Sequence, residues 1–185
     1  MPRIRTSRLL LIPGTVESLR AELRSNDDLG DVIGAEIPSS WPPNLYDADA
    51  VNWTINALDS GRSSADWTLY YFTRVNAGGK PTLIGAGGYK GNPDETGTVE
   101  LGYAVLPEFQ RRGYAREAVR GMLEFAFSDS RVRRVIAHTL EHLIPSRGVL
   151  ETSGFDFVGL GNDPTEPDAT PYEMMRAKYE GLEPK

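Results

Sequence analysis

Residues 98–127 read TVELGYAVLPEFQRRGYAREAVRGMLEFAF, and the hydrophobic period changes once along this stretch. Val99, Leu101, Tyr103 and Val105 alternate with Thr98, Glu100, Gly102 and Ala104, the period of a strand. Pro107, which has no N–H to donate, ends that ladder. From Ala115 the spacing is helical: Ala115, Ala118, Val119, Met122, Leu123 and Ala126 form one face, and Arg116, Glu117, Arg120 and Glu124 the other. Between strand and helix lies QRRGYA, residues 110–115. Gly113 tolerates the positive φ of a tight turn, and the small Ala115 lets a ligand approach the backbone. A helix N-terminus offers free N–H groups and the positive end of the helix dipole, and Arg111, Arg112 and Arg116 add charge there. The turn is therefore a candidate anion cradle. Taken alone, so short a pattern also fits an ordinary strand-to-helix turn with solvated arginines.

Working outward, RRVIAHT at residues 133–139 reads as a strand. A helix joins it to the strand at 98, so the two are expected to be parallel. A helix over residues 146–152 follows, closed by Ser153-Gly154. Upstream, residues 67–75 and 82–89 read as strands separated by the turn NAGGKP, and 8–12 as a first strand closed by Pro13-Gly14. Thr15 caps a helix over 16–25, with Val16, Leu19 and Leu23 on one side. Residues 26–44 read as irregular, with prolines that preclude a continuous helix. Asp47 or Asp49 starts another helix, with Val51, Ile55 and Leu58 before Gly61. Trp41, Trp53 and Trp67 are read as packing residues; exposed tryptophans here would suggest a substrate wall. Residues 155–160 are expected as a strand, 161–171 as a polar loop and 172–179 as the last strand. The order predicts one domain, residues 1–185, with a mixed sheet and helices on its faces.

The formal charge of −6 and pI near 5.0 argue against non-specific nucleic-acid binding, which favours a basic stripe. An acidic surface suits a cationic or amine-bearing substrate, and equally plain solubility. The absence of cysteine excludes disulfides, thiolate zinc sites and thiol nucleophiles, and two histidines argue against a metal centre. Leu9 to Ile12 is too short for a signal-peptide core, and no apolar run approaches a membrane span. A soluble, cytoplasmic protein is expected.

SRGVLETSGF at residues 146–155 completes a pattern. The strand, QRRGYA, helix, RRVIAHT and S-x-x-V-L-E-x-x-G-F together resemble the GCN5-related N-acetyltransferase (GNAT) superfamily. The opening RIRTSRLLLIP is similar to the first strand of its RimJ/RimL-type branch, which acetylates protein N-termini and assorted small amines. The resemblance implies an α+β fold. Its mixed, mostly antiparallel twisted sheet carries helices on both faces, and two parallel strands, here 98–106 and 133–139, splay apart. It implies acetyl-CoA as co-substrate and no metal. The pyrophosphate would sit on the N–H groups of Arg111, Arg112, Gly113, Tyr114, Ala115 and Arg116, in the turn that Gln110 opens. The pantetheine would run beside Tyr103, Ala104, Val105 and Leu106, with the N–H of Ala104 or Val105 polarising the thioester carbonyl. Glu100, sharing a strand face with the small Gly102 and Ala104, is the candidate base for the acceptor amine. Ser146 would donate a hydrogen bond to the sulfur or pantetheine, cap its helix, or both. The family usually places asparagine three residues before that serine; Leu143 stands there, with His142 beside it and Pro145 stiffening the connection. The tyrosine that many members carry just beyond the serine is also missing. The expected activity is direct acetyl transfer to a primary amine, either a peptide N-terminus or a small molecule. A non-catalytic acyl-CoA-binding or sensor protein is the alternative, and a homodimer is left open.

Overall fold

The computed structural model describes residues 3–159 and 169–182. In chain order the strands are β1 (Ile4–Arg5), β2 (Leu9–Pro13), β3 (Leu69–Arg74), β4 (Thr82–Tyr89), β5 (Thr98–Val105), β6 (Arg134–Leu140), β7 (Asp156–Phe157) and β8 (Ala169–Met175). The helices are α1 (Val16–Glu22), α2 (Asn26–Ile33), α3 (Ala48–Asp59), α4 (Tyr114–Ser128), α5 (Ile144–Thr152) and α6 (Arg176–Leu182). The strands form one mixed sheet in the order β1-β2-β3-β4-β5-β6-β8-β7, antiparallel except at β5–β6.

That parallel pair is short. It runs from Thr98–Arg134 to Leu101–Ala137 and then stops, although β5 continues to Val105 and β6 to Leu140. Over its whole length β6 stays paired with β8, while β5 stays paired with β4 from Leu101 to Val105. Each strand keeps its outer partner, so a cleft opens between them.

Strand alternation divides the apolar residues between two cores. Val99, Leu101 and Val105 of β5 and Val135 and Ala137 of β6 pack against α4 through Ala118, Val119, Met122, Leu123 and Ala126. Each large aliphatic side chain so buried contributes about 1.5–3 kcal/mol. On the opposite face Leu19, Leu29, Ile33, Val51 and Ile55 of α1–α3 cover Tyr71, Leu83, Ala86 and Leu106. This second core takes nothing from β6 or β8. On that side Ile136, His138 and Glu173 are only partly buried, so among the described residues half of this face lies open.

Four elements differ from the sequence reading. Residues 26–33, expected to be irregular, form α2: Ser25 accepts from the N–H of Asp28, Leu29 and Ile33 are buried, and Gly34 ends the helix in the left-handed region at φ 69°. The prolines that bar a helix begin only at Pro38. The last strand spans Ala169–Met175 rather than 172–179, because Arg176 donates to the carbonyls of Phe127, Asp129 and Val132 and turns the chain into α6. Of the strand expected over 155–160, the described residues form β7 at Asp156–Phe157, followed by one further bond from Val158 N to Pro171 O, and residue 160 lies outside them; β1 precedes the expected first strand. Of the expected loop 161–171, residues 161–168 lie outside the described residues, and 169–171 belong to β8. Trp41 and Trp67 are buried, whereas Trp53 on α3 is 44% exposed. Among the described residues no helix is long and apolar enough to cross a membrane.

Candidate active site

The chain leaves β5 through Leu106, whose N–H makes a last ladder bond to Ile84 O at 2.9 Å. Gln110 then folds back, and its Nε2 donates to the carbonyl of Val105 at 2.8 Å. Arg111 (φ 59°) and Gly113 (φ 80°) both adopt the left-handed conformation. Left-handed residues within a tight turn gather successive N–H groups into an anion-binding concavity. Among the described residues, the N–H groups of Arg111 to Arg116 have no protein acceptor. Gly113 also lines a separate pocket of about 500 Å³, which carries Arg5, Arg116 and Arg120 together with Glu117 and Glu124 and takes no residue from β5 or β6.

The turn is held from behind by Arg8 and Glu117. Arg8 donates through Nη1 to Arg112 O at 3.0 Å and through Nε to Glu117 at 2.6 Å, with its guanidinium 4.6 Å from the centre of the Tyr114 ring. Glu117, whose side chain is 14% exposed, also accepts from Thr6 Oγ1 (2.6 Å), Ser7 Oγ (3.0 Å) and Arg8 N (2.7 Å). Burial alone would raise its pKa; the bonds from Thr6, Arg8 and Ser7 outweigh burial and lower it. A lowered folded-state pKa means stability present above the ordinary carboxylate range and lost as pH falls through the folded value. Glu117→Ala is expected to cost about 1–3 kcal/mol, seen in thermal melts, and to weaken acetyl-CoA binding measured by titration. An unchanged affinity would show that the turn keeps its shape without this clamp.

In β5 the bonds Lys90 N to Glu100 O and Leu106 N to Ile84 O fix which way each peptide points. Even-numbered residues from Glu100 to Leu106 bond to β4, so the N–H of Ala104 is directed at Ala86. Tyr103 and Val105 point their backbone groups toward β6, which has diverged. The Val105 carbonyl is taken by Gln110, and the Tyr103 and Val105 N–H groups face the cleft. Of the two residues considered for polarising a thioester, Val105 has the available N–H and Ala104 does not.

Ser146 lies inside the first turn of α5, which begins at Ile144 with Leu143 as N-cap. The expectation that Ser146 caps this helix is therefore corrected. Its partner is Tyr103, whose hydroxyl donates to Ser146 O at 3.0 Å and lies 3.2 Å from Ser146 Oγ; burial pushes the phenol up to about 12. The chain thus brings a tyrosine to this serine from β5, not from the sequence that follows the serine. His142 is exposed and its ring makes no hydrogen bond among the described residues. Leu143 is half-buried, outside both cores, and offers no side-chain cap, while its carbonyl accepts from Ser146 N and Arg147 N. Asparagine is a strong N-cap, so Leu143→Asn is expected to stabilise the fold by about 1 kcal/mol, read as a raised Tm. A loss of a few kcal/mol would instead mean that Leu143 packs as core.

On the open face, Glu100 (22% exposed side chain) accepts at Oε1 from Lys90 Nζ at 2.5 Å and His138 Nδ1 at 3.0 Å. A Cβ placed on Gly102 would meet nothing within 4 Å, so the space beside Glu100 is free. Sequence alone does not single out His138. The alternation of RRVIAHT puts it on one face with Arg134 and Ile136, but only the register Glu100–Ile136 brings that face to Glu100. Toward α1, Tyr71, Ala86 and Ala104 stand in one row across three strands. Above that row Glu22 accepts from Trp41 Nε1 (2.9 Å), Tyr46 OH (3.0 Å) and Tyr71 OH (2.7 Å). Burial raises the Glu22 pKa against the lowering effect of these bonds. A hydrogen bond from Ser40 to Glu108 ties the segment before α3 to the end of β5.

A family model described as an acetyltransferase (GNAT) domain matches residues 8–156. The chain belongs to the GNAT acetyltransferase family. It is 26% identical over 157 residues to the uncharacterized N-acetyltransferase YjdG of Bacillus subtilis, covering 84% of this chain and 90% of that one. A GNAT-family acetyltransferase from Bacillus anthracis superposes with a TM-score of 0.63 at 18% identity, over 95% of this chain and 99% of that one. A RimL ribosomal L7/L12 α-N-protein acetyltransferase, solved with coenzyme A, gives 0.65 at 13% identity over 94% and 98%. At these identities the two structures show a shared fold.

Membership in the family makes this an acetyl-CoA-dependent N-acetyltransferase. The donor set fits that co-substrate: the N–H groups of Arg111 to Arg116, free among the described residues, match a pyrophosphate, and the cleft-facing N–H groups of Tyr103 and Val105 match an amide-bearing arm. Among the described residues no group of three or more His, Asp or Glu is placed to hold a metal ion.

Proposed function

We propose that this GNAT protein transfers the acetyl group of acetyl-CoA to a primary amine by direct attack, the acceptor being a protein N-terminal α-amine or a small-molecule amine. The observation that carries the reading is the Val105 N–H in the cleft, unpaired among the described residues, with the free space over Gly102 and the Glu100 carboxylate on the same strand. Acetyl-CoA supplies an activated acyl group. The amine nitrogen bonds to the thioester carbon, and the charge that develops on the carbonyl oxygen is met by the Val105 N–H. The C–S bond breaks and the sulfur keeps its electron pair, next to the hydroxyls of Ser146 and Tyr103. The proton lost by the ammonium goes to the basic group at Glu100, directly or through water. The remaining residues of the turn, Gln110 to Arg116, bind and orient the co-substrate.

The acidic net charge of −6 and the open acceptor face support a cationic acceptor. The RimL protein that shares this fold is an L7/L12 α-N-protein acetyltransferase, which supports the peptide branch of this reading. A cytoplasmic setting accompanies it. The test is continuous thiol release with a panel of peptides and small amines: amine-dependent turnover is expected. Leu143 at the family's asparagine position favours a second reading, a protein that binds acyl-CoA without turning it over. Tight acetyl-CoA binding with no thiol release from any amine would select it.

A further inference from the structure

We propose that the imidazole of His138 is the group that receives the acceptor's proton, and that Glu100 is the carboxylate that orients it. This rests on the acetyl-transfer reading above. A carboxylate can only accept, so the 3.0 Å contact requires Nδ1 of His138 to carry the hydrogen that Glu100 binds. In the neutral ring that tautomer leaves the lone pair on Nε2, and Nε2 has no hydrogen-bond partner among the described residues. Glu100 is engaged by two donors. Its Oε1 already accepts from both Lys90 Nζ and His138 Nδ1.

Position supports the same assignment. His138 is the first residue of β6 beyond the last parallel pair, Leu101–Ala137, so it stands where the cleft opens. Continuing the register from Glu100–Ile136, the residue across the cleft from His138 is Gly102, which has no side chain to fill the gap. Among the described residues, the charged groups that share this face are Lys90 at the end of β4, Glu100 on β5, Arg134 on its own strand and Glu173 on β8, with Arg134 and Glu173 paired at 3.4 Å. Pro171 lies opposite His138 on β8 and carries neither charge nor N–H. No residue of α1–α3 that forms the second core packs on β6. In the step itself one N–H bond of the acceptor ammonium breaks, its electrons stay on nitrogen, and the proton goes to Nε2. The freed lone pair forms the N–C bond, and the imidazolium later returns the proton to water.

The experiment compares His138→Gln, His138→Asn and Glu100→Gln with two acceptors: an alkylamine, protonated at the assay pH, and a nucleophilic amine of low basicity that is already neutral there. His138→Asn keeps an amide donor for Glu100 while removing the base, and thermal melts identify any variant that fails to fold. The expected result is a loss of about a hundred-fold in kcat with the alkylamine and little loss with the neutral nucleophile. Acetyl-CoA affinity should be retained. Added imidazole should restore part of the rate to His138→Ala, and the double variant should be no slower than the worse single one. If folded His138 variants keep the wild-type rate, or lose the same factor with both acceptors, the proposal is overturned while the acetyltransferase reading stands. If the wild type releases no thiol with any amine, both fall.

Discussion

Glu100→Gln is expected to bind acetyl-CoA as tightly as the wild type and to turn over an alkylamine about a hundred-fold more slowly. The carboxylate lies on the open side of β5, whereas the turn proposed to hold the co-substrate lies beyond the strand's far end, at residues 110–116. Removing the charge therefore touches the acceptor's proton and leaves the anion cradle alone. Glutamine can still accept from His138 Nδ1, but it no longer offsets the positive charge that a proton brings to the ring, and Lys90 loses its ion pair. The deficit should shrink as pH rises, because the fraction of acceptor that arrives as free amine increases. Equal pH–rate curves for variant and wild type would remove Glu100 from the proton's path, directly or through His138.

Gly113→Val is expected to weaken acetyl-CoA binding by one to two orders of magnitude while the domain stays folded. At φ 80°, ψ 4° Gly113 occupies the left-handed region, which a β-branched residue adopts only with strain. That strain is of order 1–3 kcal/mol, and each 1.4 kcal/mol expressed in binding is about tenfold. Space is not the obstacle: a Cβ there would meet only Arg8 Nη2, at an ordinary 3.4 Å. Relief of the strain would rotate the peptides on either side, turning N–H groups away from the concavity and disturbing the Arg8 contact with Arg112 O. Calorimetric titration of the folded variant decides the matter, and unchanged affinity would take this turn out of the binding site.

The GNAT fold was legible because it is written in local periods. The switch from alternation to helical spacing between Val105 and Ala115, with Gly113 between, requires only neighbours in the chain. The same holds for the crossover that makes β5 and β6 parallel. α2 is not legible because its signals, Leu29, Ile33 and the Ser25 cap, lie in a short segment followed by the prolines from Pro38 onward. The end of β8 is not legible because its cause is remote: Arg176 is held by carbonyls near the end of α4 and before β6.

The candidate site divides in the same way. Sequence alone determined the composition of the turn, the acidic residue on the small-residue face of β5, and the departure at Leu143. Tertiary structure decided which of these groups meet. The point at which β5 and β6 part selects Val105 over Ala104, the parallel register brings His138 to Glu100, and the path of α5 brings Ser146 to Tyr103. The β1–β2 connection, more than a hundred residues before α4, supplies the clamp on Glu117. A strand's period states which residues share a face, but a shift of one residue in pairing exchanges the faces. The choice among registers is made by the whole sheet and its two cores, so contacts between distant segments follow from packing and not from any single stretch of the chain.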